Sequence, residues 1–551
     1  EGPSRPVAGT VDVAETASPA PPRSSARVTS LLVAGLFVLA LLPRIVLLAG
    51  HPFILNGIEA SIGLDALSVL SGQIRNPFAT SWLTNPTLPL FPTSLFVALF
   101  GRNALGVRLL SALVGAATVP VLFLVARRLW NAGFALAASV FLAGYHLHIH
   151  YSRLGMTNVW DPLLALLIFG LVGIATRYPS RRNWLGAGLA VGLGAYFFTP
   201  SHLLPFYLVA LALYYLLFQR DFVIEQRGHL LAASAIALVL ALPQFAFYRA
   251  NPGLFMERAN SLGIFQSGWL VQQATAGPRI LGALGDQLRR GLLAFNGSLD
   301  TSTSYNPGVP MLGLWTSVFF VIGVAVAAWR VRQTRYALLL VWLFVTLTFA
   351  GALLLDAPDS HRLLIAVPAV VVLTTTGLFW LARRLIEVAS ALSGNPAPVR
   401  TTLGLAPHEL GVLVLMLLFV AGGLFFYFGE YRLSHRFGDR NSEVAYEMGR
   451  YLDSLQGDWQ AYFYGPPAMY VTFPTILYLA PEFQAGVNLF DVTENLTALP
   501  DPPSGANLVF VYLPERSAEV NETSERFPQG DFLTFDGILA NPLFYAYEVR
   551  R

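Results

Sequence analysis

The feature that most restricts this chain is a series of eleven apolar runs, separated by loops whose fixed cations are all arginine. The runs lie near 28–50, 105–127, 132–148, 158–176, 184–199, 202–218, 230–247, 310–329, 336–355, 362–383 and 409–429. About twenty apolar residues are what an α-helix needs to cross the hydrocarbon of a bilayer, and lipid admits only spans that satisfy their own backbone. The expected class is therefore a polytopic α-helical membrane protein with about 11 transmembrane helices. Composition agrees: 55% of the 551 residues are hydrophobic and only 12% are charged, about half the charged fraction usual in soluble domains.

The arginines test this count. With 28–50 taken as a retained anchor whose N-terminus is inside, the inner loops hold Arg127 and Arg128, then Arg177, Arg181 and Arg182, then Arg220 and Arg227, then Arg330, Arg332 and Arg335, then Arg383, Arg384 and Arg400. The short outer connections at 199–202 and 356–361 hold none. That asymmetry is the positive-inside bias of a cell-membrane protein with a cytoplasmic N-terminus.

Three larger pieces then fall outside: 50–104, 248–309 and 431–551. Residues 1–27, rich in Pro, Ala, Ser and Thr, read as a disordered cytoplasmic tail. Asn85 to Phe100 is too short and too Pro-broken to cross, so it is expected along the interface. Ile280 to Leu293 places Leu281, Leu284, Leu288 and Leu292 on one face and reads as an interfacial amphipathic helix. After Tyr431 charge returns, and 431–551 reads as a small extracytoplasmic α/β domain. Its expected helix is capped by Ser442 and buries Val444, Met448, Tyr451, Leu452 and Leu455, and its strands fall at 461–464, 506–512 and 543–549.

Several function classes drop out. Without cysteine there are no disulfides, thiolate nucleophiles or Cys–metal sites, and without lysine there is no Schiff-base chemistry. Arginine remains as the fixed cation, and its planar fork suits phosphate oxygens. A net charge of +3 is too small and too evenly spread for nucleic acid. His146, His148 and His150 do not read as a metal site, because only 146 and 150 share a helical face and no acid lies within a turn. No cofactor is required by these residues, and a divalent cation stays open. Asp161-Pro162 reads as a helix start, with the Asp as cap.

Four short stretches carry the remaining chemistry. They are Ile58-Glu59 after the first run, Gly101 to Leu113 with Arg108, Tyr151-Ser152-Arg153-Leu154-Gly155, and Asp356-Ala357-Pro358-Asp359-Ser360-His361-Arg362 leading to Pro368. Their order resembles that of polyprenyl-phosphate-sugar-dependent glycosyltransferases of the GT-C fold, the superfamily of protein O-mannosyltransferases and of the lipid A aminoarabinose transferase. The resemblance runs from about residue 30 to 430. It implies an inverting transfer of one sugar from a polyprenyl-phosphate donor to an acceptor (protein, lipid or glycan) at the outer face, among membrane lipids. Glu59 would be the general base, Arg108 would neutralise the donor phosphate or pin Glu59, and Arg153, His361 and Arg362 would bind substrate. Arg362, at an expected helix start, is the best placed of these for an anion.

Family members usually carry an Asp-Glu pair where this chain has Ile58-Glu59. The missing acid keeps a second reading open, a catalytically silent relative that serves as a structural or assembly subunit. A lipid or solute transporter ranks third, since the sequence shows neither an inverted repeat nor a broken central helix.

Overall fold

The computed structural model describes residues 26–81, 84–276, 280–393, 406–488 and 505–551. The expected tail therefore lies almost entirely outside the described residues, as does Arg400.

The chain begins with α1 (Ala26–Ile45), and the first outer piece contributes α2 (Gly57–Leu70) and α3 (Leu90–Phe100). There follow α4 (Ala104–Leu129), α5 (Ala132–Gly144), α6 (His146–Ser152), α7 (Trp160–Arg177), α8 (Arg181–Gly194), α9 (Phe198–Phe218) and α10 (Arg220–Ala250). The second outer piece forms α11 (Pro252–Leu262), α12 (Trp269–Ala276) and α13 (Ile280–Leu292). Then come α14 (Leu314–Trp329), α15 (Thr334–Thr346), the single turn α16 (Ser360–Leu363), α17 (Val367–Ser393) and α18 (Pro407–Phe425).

Among the described residues eight helical segments are long and apolar enough to cross a membrane, or nine when α5 and α6 count as one bent span. The other two of the eleven expected runs are α8 and α14, with 14 and 16 residues. At 1.5 Å per residue these are roughly 21 and 24 Å long, short of a full hydrocarbon crossing. The bend between α5 and α6 is 59° and corrects the expectation that no central helix is broken. It falls at Tyr145, whose backbone is extended and whose hydroxyl donates to the Met311 carbonyl at 2.8 Å.

The centre of the bundle is α17, buried from Val367 to Leu378. It packs backbone to backbone on α14. A Cβ added at Gly323 would sit 1.8 Å from the Leu373 carbonyl oxygen, and one at Gly377 would sit 2.0 Å from that of Phe319. Small residues at such crossings let helices associate where burial from water offers no drive.

The two ends of the bundle differ in chemistry. At one end arginines cap carbonyls at helix ends: Arg177 and Arg335 both donate to Leu129 O, at 3.3 and 3.0 Å. At the other end the three large pieces meet. Arg102 of the first piece donates to the carbonyls of Leu477 and Tyr478 (2.9 and 3.2 Å), and Thr475 donates to Leu55 O at 3.3 Å. In the second piece Thr303 O accepts from Gly438 N, and Thr301 N donates to Pro358 O, each at 3.0 Å.

The C-terminal domain opens with the turn α19 (Arg432–Ser434), then α20 (Arg440–Ser454) and α21 (Pro474–Leu479), and closes around α22 (Val520–Arg526). Its five strands are β1 (Trp459–Tyr464), β2 (Val487–Asn488), β3 (Asn507–Tyr512), β4 (Asp531–Asp536) and β5 (Pro542–Val549), in the order β2-β1-β3-β5-β4. β1 pairs in parallel with β2 and β3, whereas β5 runs antiparallel to β3 and β4. Helix α20 buries Val444, Met448, Tyr451 and Leu452 as expected. Its cap is Asp439 rather than Ser442: the Asp439 side chain accepts from the Ser442 N–H at 2.8 Å. Asp161 is likewise not a cap. It lies one residue inside α7, buried, with one carboxylate oxygen unpartnered.

Candidate anion site and the buried first-loop ion pair

Helix α2 starts where it does because Asn56 and Glu59 cap it reciprocally. Asn56 Oδ1 accepts from the Glu59 N–H at 2.9 Å and Glu59 Oε2 accepts from the Asn56 N–H at 3.3 Å, which satisfies two of the donors a helix N-terminus leaves open. Arg108, in the first turns of α4, closes a fork on the same carboxylate, Nε to Oε1 at 2.8 Å and Nη2 to Oε2 at 2.9 Å. The Gly155 N–H, in the Ser-Arg-x-Gly turn, donates to Oε1 at 2.7 Å. Val107 packs so closely there that a Cβ at 155 would fall 2.8 Å from its Cβ.

Four donors thus occupy the two Glu59 oxygens, about the number a carboxylate can accept. Arg108 spends its other hydrogens on the carbonyls of Leu48, Pro52 and Ile54, at 3.3, 2.9 and 2.5 Å. Both side chains are fully buried. Of the two roles expected of Arg108, this geometry holds the pin on Glu59. Ile58, beside it, is half-buried and packs on the bundle core.

Arg153 is also inward. It donates to Pro43 O at 2.8 Å and twice to His51 O at 2.8 and 3.2 Å, with its guanidinium over the Phe428 ring. It ties the loop after α1 to the end of α6. His51 itself is pushed down to about 3, by burial first and then by Arg153, Arg432, Arg108 and His435; it is neutral at ordinary pH.

Arg362 is arranged differently. Its Nε pairs with Asp359 Oδ2 at 3.1 Å and Nη1 donates to Leu355 O at 2.6 Å. Nη2 makes no hydrogen bond among the described residues, and the side chain keeps 17% of its surface. Only a single turn, α16, follows Asp359 here, and the long helix begins eight residues after Asp359, at Val367. His361 stacks on Tyr151 with ring centroids 6.0 Å apart, and its Nε2 is buried without a partner.

A group missed in the sequence completes the cluster. The loop after α11 pairs with the strand-like stretch before the late motif, Ile264 N to Leu353 O at 3.1 Å and Leu355 N to Leu262 O at 2.8 Å. This brings half-buried Arg258 within electrostatic reach of Arg362, and Arg258 makes no salt bridge among the described residues. Burial, and then the Arg362 charge, hold its guanidinium below its ordinary value. No sequence spacing announces a contact between residues a hundred positions apart.

Asp300 is the other missed group. Its Oδ1 accepts from the N–H groups of Ser360 (2.9 Å) and Ser302 (3.1 Å), and Oδ2 accepts from Ser360 Oγ at 2.5 Å. Ser360 Oγ also meets the Tyr151 hydroxyl at 2.7 Å. Two apolar cavities flank α18, of 330 Å³ against α1 and α5 and of 540 Å³ against α5, α14 and the loop near Asn296. Neither is lined by Glu59, Arg108, Arg153 or Arg362. Among the described residues no group of His, Asp or Glu is arranged to hold a metal.

The arrangement matches known architecture. Over 95% of this chain and 98% of the other it superposes on ArnT from Cupriavidus metallidurans bound to undecaprenyl phosphate, with a TM-score of 0.57 at 13% identity. Over 94% of this chain and 74% of the other it superposes on the archaeal oligosaccharyltransferase AglB from Archaeoglobus fulgidus, with a TM-score of 0.51 at 11% identity. The chain has the GT-C fold. Residues 84–247 of this GT-C chain match the dolichyl-phosphate-mannose-protein mannosyltransferase family. Similar curated proteins are undecaprenyl phosphate-alpha-4-amino-4-deoxy-L-arabinose arabinosyl transferases. That of Pseudomonas aeruginosa strain UCBPP-PA14 is 30% identical over 169 residues, 29% of this chain and 30% of the relative. One from Pseudomonas fluorescens strain Pf0-1 is 30% identical over 229 residues, 38% and 39%. The GT-C chain thus spans about a third of the length of the curated relatives it matches.

Proposed function

We propose that this protein is an inverting glycosyltransferase that moves a sugar from a polyprenyl-phosphate donor to an acceptor at the extracytoplasmic face of the cell membrane. The observation that carries this reading is Arg362, partly exposed with one guanidinium nitrogen unspent, together with Arg258, which makes no salt bridge among the described residues and feels the Arg362 charge. The donor's phosphodiester brings one negative charge and oxygen acceptors to these guanidinium donors, and the polyprenyl phosphate released is a monoester with a further charge. The similarity to transferases of undecaprenyl phosphate-linked aminoarabinose and to a structure holding undecaprenyl phosphate supports a lipid-linked donor.

In the reaction an acceptor oxygen attacks the anomeric carbon from the face opposite the phosphate, the carbon–oxygen bond to phosphate breaks, and the two arginines take up the charge on the leaving phosphate. The phosphate is a weak base and leaves without a proton. The acceptor proton passes to Glu59 in a state where the Arg108 fork has released one oxygen; the closed pair is the resting state. His361 lies against the same turn as Arg362 and lines the donor side. The arginine-rich end faces the cytoplasm, so reporter fusions after Arg335 should read cytoplasmic and fusions after Tyr431 extracytoplasmic. Both on one side would remove this topology.

The catalytically silent reading is favoured by one observation, the full saturation of Glu59. Release of undecaprenyl phosphate from undecaprenyl phosphate-linked sugars in membranes containing this protein separates the two. Per folded protein, Glu59→Gln should lower that release by roughly two to four orders of magnitude, with donor binding measured alongside to separate loss of the base from unfolding by the unpaired Arg108. Equal release from membranes with and without the protein, across sugars, would establish the silent reading.

A further inference from the structure

We propose that Asp300 is a positioning residue of the anion site: it clamps the Ser360 turn to the second outer piece and to Tyr151, and thereby fixes where Arg362 presents its guanidinium. This deepens, and rests on, the reading of Arg258 and Arg362 as a phosphate site.

The geometry is a three-way tie. One carboxylate accepts from a backbone N–H of its own loop, from the Ser360 N–H and from the Ser360 hydroxyl, and that hydroxyl is shared with Tyr151 of α6. The next loop residue repeats the bond, since Thr301 Oγ1 lies 2.5 Å from Asp356 O and 2.9 Å from Pro358 O. Arg362 is two residues beyond Ser360, on a turn too short to hold itself. Its own contacts, Asp359 and Leu355 O, belong to the same short segment. Without Asp300 nothing from another element holds the Ser360 end of that turn through a charged group.

Asp300 is buried, with only 4% of its surface exposed. Burial is the main cause that pushes its carboxyl up to about 6, and the nearby Asp359 charge adds to it against the Ser360 and Ser302 hydrogen bonds. The groups facing it are Tyr151 from α6, Asp359 from the late motif, Tyr305 on its own loop and Tyr431 after α18. Because the folded value lies above the ordinary one, the folded protein holds this proton more tightly than the unfolded chain. Stability from this group is therefore fully present below about pH 4 and is lost as pH rises through about 6. The ionised clamp is retained at neutral pH at the expense of stability, as expected of a group kept for position.

The test uses the full chain in detergent micelles with undecraprenyl phosphate as probe, and compares wild type, Asp300→Asn and Arg362→Ala between pH 5 and 8. The lipid phosphate itself titrates near pH 6, so the reading is the difference between proteins. Wild type should lose affinity more steeply than Asp300→Asn as pH falls, and Asp300→Asn at pH 7.5 should bind roughly 10-fold more weakly, as for a lost charge-assisted hydrogen bond. Hydrogen exchange at Ser360–Leu363 should rise in Asp300→Asn. Wild-type affinity, pH profile and exchange in that variant would overturn the proposal. If Arg362→Ala binds like wild type, the phosphate reading fails by itself, and the exchange at Ser360–Leu363 still decides whether Asp300 is the clamp.

Discussion

Two arginine–carboxylate pairs lie toward the same end of this molecule and have opposite characters. Glu59–Arg108 is sealed: both side chains are fully buried, every guanidinium hydrogen has an acceptor and four donors meet the carboxylate. Arg362–Asp359 is half-finished. It is partly exposed, joined by one ionic contact, and accompanied by a second arginine that feels the charges of Asp359 and Glu257. The difference teaches that residue type and family position do not fix a role. A sealed pair organises the backbone around it and serves as a base only once the fork opens, whereas a partly exposed one keeps a donor for an arriving anion.

The largest effect that would break this comparison is at the sealed pair. Arg108→Met leaves Glu59 buried and unpaired, which should cost about 3–5 kcal/mol. Thermal unfolding in detergent should show loss of most of the folded protein, while the double variant with Glu59→Met recovers much of it. A stable Arg108→Met with intact donor binding would mean that Glu59 is less enclosed than described.

Next comes the open pair. Arg362→Ala should weaken undecaprenyl phosphate binding roughly 10- to 100-fold, the range for a charge-assisted hydrogen bond to an ionised partner. Arg362→Lys should recover only part, because a point charge replaces a fork. Folding should change little in both, so unfolding temperature and binding read different things. Arg258→Ala should fall below Arg362→Ala in effect, on the order of a few-fold, since Arg258 is farther from any fixed partner and its contribution is mostly long-range charge. Equal losses at both positions would place the phosphate between them.

What could be read from the sequence follows the same division. Apolar period and arginine bias are properties of each segment alone, so nine of the eleven runs, the basic end and the three large pieces at the other end were legible, whereas the runs of α8 and α14 form helices too short to cross. So was the pairing of Arg108 with Glu59, one of two roles the resemblance offered. The saturation of that pair was not, because it depends on Gly155 and on carbonyls of 48, 52 and 54 arriving together. Arg258 and Asp300 were invisible for a related reason. Each gains its neighbours only when the second outer piece folds back on 353–362, and neither sits in a motif. The broken helix at Tyr145 carries no proline or isolated glycine pattern strong enough to mark it against the apolar run. In the C-terminal domain, three strands announced themselves by β-branched and aromatic runs, whereas β2 is two residues long and β4 is a mostly exposed edge whose residues do not alternate cleanly.

The smallest effect is expected at a third pair of the same chemistry, and it serves as the scale for the other two. Arg440 and Glu515 meet at 2.5 Å on the surface of the C-terminal domain, with 50% and 53% of their side chains exposed. Water screens both charges, and ordering two long side chains offsets most of the attraction. Arg440→Ala should therefore change stability by at most about 0.5 kcal/mol, with a shift of the unfolding midpoint near the error of measurement, and 0.5 M salt should erase even that. The same salt should leave the buried pair unaffected, because no counter-ion reaches it, and should weaken undecaprenyl phosphate binding at Arg258 and Arg362 in between. A surface pair as costly to break as Arg108, or a buried pair as sensitive to salt as Arg440, would show that enclosure is not what separates these three arginines.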